Sequence, residues 1–130
     1  MNRDRLWWLL FAISVLTIIS GLVQMLAPGF MLENLSAEGS PASAHFFGIV
    51  GMFMALFGGM MVHALLSPQQ PRIVFYWAGA QKAGACVAVT LGVLHGIFSS
   101  LALLVAGFDL GTAVVIVIYL FFHHAPGTVS

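Results

Sequence analysis

Apolar residues run through this chain in long blocks, and polar residues gather in a few short stretches between them. From Leu6 to Ala27 no charge interrupts the run. At about 1.5 Å per residue that is enough to cross a hydrocarbon core about 30 Å thick, which predicts a first membrane span over 6–27. The stretch "PGFMLENLSAEGSPAS" then brings prolines, glycines, serines, Glu33 and Glu38 together as the longest loop. Within it "FMLENL" suits a short interfacial turn, with Phe30, Met31 and Leu35 in lipid and Glu33 and Asn34 facing water. A second apolar block predicts a span over 42–66, closed by the proline-rich turn "SPQQPR".

From Ile73 to Phe122 the chain is apolar apart from Lys82, His95 and Asp109, too long for one crossing and suited to two. Two breaks compete for the turn. One is "LHGIFSS", where Gly96 ends a helix and Ser99 or Ser100 caps the next; the other is "GFDLG", around Asp109. Turning at Gly96 gives more even lengths for a bilayer that needs about 20 residues per helix, so the third and fourth spans are expected over 73–95 and 98–123. The expected fold is all-α: a single transmembrane domain over 1–130, an integral membrane four-helix bundle running up-down-up-down. Arg3, Arg5 and Arg72 then fall on one side and Glu33 and Glu38 on the other, which by the positive-inside rule makes both termini cytoplasmic. A cleaved secretory signal is the alternative reading of the first block. Its apolar run exceeds the usual length of about 7–15 residues, and "QMLAP" lacks an A-x-A site.

Composition narrows the function classes. With 61% hydrophobic and 6% charged residues, the chain lies far from the roughly 25% charged of soluble domains. Lys and Arg balance Asp and Glu at four each, so no basic field exists to hold nucleic acid. The single cysteine, Cys86, excludes an internal disulfide and a CxxC redox pair.

The residues that interrupt the apolar blocks are the candidates for chemistry. Lys82 is expected roughly 14 Å from the cytoplasmic boundary and Asp109 roughly 20 Å from it, a difference the lysine stem can span. A charge alone at the bilayer centre costs at least about 2.5 kcal/mol, so a Lys82–Asp109 pair inside the membrane is expected. In the alternative, Lys82 snorkels to the headgroups and Asp109 caps a short helix. Gln81, Cys86 and Thr90 form the polar neighbourhood of Lys82, which with Asp109 would line a polar path if the protein carried a small solute. Small residues recur every four positions at Ala80, Gly84, Ala88, Gly92 and Gly96, and again at Gly51, Ala55 and Gly59, a pattern that lets helices approach closely.

Five histidines raise haem ligation, with His45 and His95 near the outer boundary and His63 with His123 or His124 near the inner one. No two share a helix at i, i+3 or i, i+4 spacing and no carboxylate or thiolate completes a ligand set, so no metal site is expected. Trp7, Trp8, Tyr76, Trp77 and Tyr119 all fall near span ends, where rings anchor at headgroups. Met52, Met54, Met60 and Met61 are gap fillers or an adaptable contact surface.

A first span, a polar loop, "AHFFGIVGMFMALFGGMMVHALL", the turn "SPQQPR", a glycine-rich third span and an acid within the fourth make an outline that resembles the DoxX-like group of small four-helix bacterial membrane proteins. The resemblance covers nearly the whole chain and is one of layout. It implies a bacterial inner membrane location and, as in some relatives, an accessory role beside a quinone-linked oxidoreductase, many others having no known activity. From the residues themselves the leading expectation is a non-catalytic subunit, a homo-oligomer or part of a larger membrane complex, packing through its small-residue faces. A carrier or channel for a small solute and a haem- or quinone-binding redox subunit are the alternatives. No cofactor is expected under the first.

Overall fold

The computed structural model describes residues 3–35, 37 and 39–123, and the described residues are all-helical or in turns. Helix α1 (Arg5–Leu26) opens on Asp4, whose carboxylate accepts from the Trp7 amide at 3.0 Å, and stops at Ala27 because Pro28 disfavours helical geometry before it. Pro28 starts α2 (Pro28–Asn34), where its missing N–H costs nothing. Helix α3 (Pro41–Leu66) begins with a reciprocal cap between Ser40 and Ser43. Helix α4 (Arg72–Leu94) follows Pro71 and ends on His95. There Gly96 takes φ +74°, the Ile97 amide donates to Gly92 O at 2.9 Å and the Gly96 amide to Val93 O at 3.1 Å, a Schellman stop. Helix α5 (Ala102–His123) completes the order. The turn between α4 and α5 is thus at Gly96, and "GFDLG" is helical, inside α5.

Two features overturn the expected four-helix bundle. The polar interlude is not only loop, since Pro28 nucleates a seven-residue helix in it, making five helices among the described residues. Among the described residues only α1, α3 and α5 are long and apolar enough to cross a membrane. Helix α4 has the length but not the apolarity, because Arg72, Gln81, Lys82 and a run of alanines and glycines dilute its valines and leucines. The four-span count is therefore corrected to three candidate spans. The long helices α1, α3, α4 and α5 still alternate in direction, since the starts of α1 and α4 and the ends of α3 and α5 meet in one cluster around Trp7, Leu65, Phe75 and Tyr119.

Helix α1 packs lengthwise on α3 and α4 on α5, each pair antiparallel; contacts of α1 with α5 and of α3 with α4 join the pairs. The inward stripes follow the three-four spacing of interlocking helices. They read Trp7, Leu10, Ser14, Thr17, Gly21 and Gln24 on α1, and Ala102, Ala106, Asp109, Thr112, Ala113, Ile116, Tyr119 and Leu120 on α5. Most of the large apolar packing lies at one end, where Trp7, Leu10, Leu65, Phe75, Ile116 and Tyr119 are almost wholly buried, and Leu32 of α2 is buried at the other. Further along the inward positions become small or polar, while Leu16, Ile19, Phe53, Leu56, Leu104, Val117 and Phe121 point outward and are exposed. Bulky apolar groups outside and small ones inside are compatible with lipid as solvent, as are three long apolar helices, so the chain reads as a multi-pass membrane protein.

Candidate functional site: a buried polar centre

The inward stripe of α4 runs Phe75, Ala78, Lys82 and Gly92, which puts a lysine where its neighbours are core residues. Lys82 and Asp109 are each only 7% exposed. Lys82 Nζ donates to Asp109 Oδ1 on α5 at 3.2 Å and to Thr17 Oγ1 on α1 at 3.1 Å. It also lies 5.4 Å from the centroid of the Phe108 ring, within reach of the ring's negative face. A buried ammonium without an anion is strongly unfavourable, and a buried pair leaves the remaining lone pairs and protons to be satisfied by neighbours. Thr17 is such a neighbour, and it ties the α4–α5 pair to α1. Asp109 lies in the body of α5, eight residues beyond Leu101 in the preceding turn, so it does not cap the helix.

Thr17 is the site residue that reading the blocks missed. Its signal is the spacing Ser14, Thr17, Gly21, Gln24, a polar and small stripe at helical period in a span whose other polar residues are Arg5 and Ser20. Gln24 uses its position similarly, donating to Phe47 O at 3.0 Å. Of the expected polar face, Gln81 borders the centre, whereas Cys86 and Thr90 are half-buried further along α4 and take no part in the bonds of Lys82. A mostly apolar cavity of about 10 Å³ is lined by Lys82, Gln81, Ser14, Thr17 and Thr112 together with Ile13, Phe57, Gly58, Met61, Ala78 and Ile116.

The small-residue positions divide into two groups. On α3 the close approach uses Gly51 and Gly58: a Cβ on Gly51 would stand 2.7 Å from Gly21 O, and one on Gly58 2.8 Å from Ser14 O. A Cβ on Gly21 would in turn meet Gly51 O at 2.5 Å and the Ala55 amide nitrogen at 2.6 Å. Gly59 points elsewhere, with nothing within 4 Å of its Cβ position. On α4, Ala80, Gly84 and Ala88 are exposed, Gly84 again with nothing within 4 Å. Gly92 is buried, but against the Phe98 ring of the following turn rather than another helix.

His45, His63 and His95 are exposed on their own elements, and the groove of about 180 Å³ beside His45 is bordered by Met25, Pro28, Ala44, Gly48, Ile49 and Met52. His123 is engaged at the other end: its Nε2 lies 2.9 Å from Asp4 Oδ2, and its ring stacks on Tyr119. His124 is outside the described residues. Among the described residues no three His, Cys, Asp or Glu side chains could together hold a metal ion.

Two of the expected interfacial anchors are core residues instead. Trp7 is 1% exposed and its indole N–H donates to Leu65 O at 3.0 Å, while the buried Tyr119 hydroxyl donates to Gln70 Oε1 at 2.7 Å. A ring with one polar handle serves equally well in a core when that handle finds a partner. Trp8, Tyr76 and Trp77 are the exposed members of the set.

Comparison with family models, with curated proteins and with solved structures found no match for this chain.

Proposed function

We propose that the chain is a non-catalytic subunit of a bacterial inner membrane, of the kind its outline resembles, which assembles with a further membrane helix through the outer face of α4. One observation carries the reading. Helix α4 is the long helix that lacks the apolarity of a span, and the face it turns outward carries a patch of small residues, Ala80, Gly84 and Ala88, between the bulky Trp77 and Leu91. Small residues at every fourth position let another helix approach closely there, with the larger side chains on either side to flank it. The polar centre fits a structural role in this reading: its ammonium is already engaged by Thr17 and Asp109, and the space beside it is about 10 Å³.

The test is the size of the complex isolated from the native membrane in mild detergent. Gly84→Leu and Ala88→Leu are expected to release a smaller species, while the outward Val117→Ala on α5 leaves the size unchanged. An unchanged size in all three variants rejects assembly through α4. Solute flux into liposomes that Lys82→Met abolishes would instead establish a carrier.

A further inference from the structure

An imidazole carries one N–H when neutral and two when protonated. His123 closes the last turn of α5, and both of its ring nitrogens face oxygens that accept. Nε2 lies 2.9 Å from Asp4 Oδ2 at the start of α1, and Nδ1 lies 3.2 Å from Tyr119 O. A neutral ring, in either tautomer, can donate to only one of them and sets the lone pair of its other nitrogen against an oxygen. The imidazolium donates to both. Its ring also stacks on Tyr119 with centroids 4.2 Å apart, and an aromatic face and a helix C-terminus each attract a cation. The His123 side chain is 13% exposed, so water does not freely replace a lost partner.

Charged and titratable groups reach this corner from each neighbouring element. Asp4 is the anion, and its other oxygen caps α1 by accepting from the Trp7 amide at 3.0 Å. Arg3 is turned onto the Trp7 ring, 4.8 Å from its centroid, and Arg72 of α4 onto the Tyr76 ring at 5.7 Å. Tyr119 carries the contact to the turn before α4, since its hydroxyl donates to Gln70 Oε1 at 2.7 Å.

We infer that His123 and Asp4 form a proton-operated clasp between the start of α1 and the end of α5, closed when the imidazole is charged and loosened when it gives up a proton. Histidine is the side chain whose charge changes between about pH 5 and 8. Deprotonation removes one donor and the ion pair together, so the stabilisation is present at the acidic end of that range and is lost as the pH rises. The clasp does not depend on what packs on the outer face of α4.

Thermal unfolding of the full chain in lipid nanodiscs, at about pH 5.5 and about pH 8, tests it with His123→Gln and Asp4→Asn beside the parent. The parent's midpoint is expected to fall by roughly 2–4 °C at the higher pH, and that fall to be largely lost in both variants. His45, His63, His95 and His124 remain in each, so the difference from the parent belongs to the clasp. A parent without the fall, or a fall of the parent's size in either variant, overturns the inference. Should a variant fail to fold, the ring nitrogen resonances of His123 in the parent decide. Protons on both nitrogens at the lower pH and on one at the higher are expected; an unchanged protonation state overturns the inference.

Discussion

Lys82 and Asp109 face each other from α4 and α5 at 3.2 Å, with Thr17 of α1 on the same ammonium at 3.1 Å. Removing one member leaves the other charged and buried. Lys82→Met alone, or Asp109→Leu alone, is expected to destabilise the protein by about 3–5 kcal/mol. The double variant Lys82→Met with Asp109→Leu should recover most of that loss, since apolar side chains of similar volume often replace a buried pair without penalty. Denaturant unfolding in detergent micelles measures all three, and strictly additive losses would contradict the pairing.

Thr17 bears on the same centre independently. Thr17→Val keeps the shape and deletes the acceptor, an expected loss of about 1–3 kcal/mol. Thr17→Ser restores the hydroxyl and should regain most of it. A loss of equal size in Thr17→Ser would assign the effect to packing rather than to the bond with Lys82.

The contact of α1 with α3 tolerates no added atom at three positions. Gly21→Ala, Gly51→Ala and Gly58→Ala each place a methyl against backbone at 2.5–2.8 Å, and each is expected to cost about 1–3 kcal/mol by forcing the helices apart. Gly59→Ala and Gly84→Ala meet nothing within 4 Å and should stay within about 0.5 kcal/mol of the parent. Thermal midpoints of the five variants separate the groups.

Gln70 carries a non-glycine φ of +41° in the turn before α4, and its side chain is held by the Tyr119 hydroxyl at 2.7 Å and by Leu65 O at 3.4 Å. Such a backbone costs about 1–3 kcal/mol and persists where surrounding bonds determine it. Tyr119→Phe is expected to cost about 0.5–1.5 kcal/mol. Gln70→Gly relaxes the backbone but loses both bonds, so it should become more favourable by about 1 kcal/mol in the Tyr119→Phe background than in the parent. A double-mutant cycle with no coupling would sever the link between turn and helix.

Much of the architecture was legible in punctuation. Pro28, Pro41, Pro68, Pro71 and Gly96 each stand at or beside a helix boundary, because proline and glycine act on the backbone whatever surrounds them. The number of spans was less legible, since α4 mixes valine and leucine with alanine, glycine, Gln81 and Lys82 and is less apolar than the other long helices. Lys82 and Asp109 could be matched by depth alone, but Thr17 could not, because a hydroxyl barely disturbs a hydropathy profile. Its role rests on which face of α1 turns inward, as does the fate of Trp7 against Trp8, and the face of α3 decides Gly58 against Gly59 in the same way. Neighbours in sequence part company there, and only the register of the packed stripes separates them.

His123 and Asp4 touch at 2.9 Å, so the first turn of α1 and the last of α5 are side by side. A few residues of linker would therefore close the polypeptide into a loop without moving either helix. Opened instead at Gly39, where nothing lies within 4 Å of a Cβ, such a permuted chain would retain both antiparallel pairs, the lysine centre and the Gln70 turn. The order in which these helices are written is thus separable from the way they fit together.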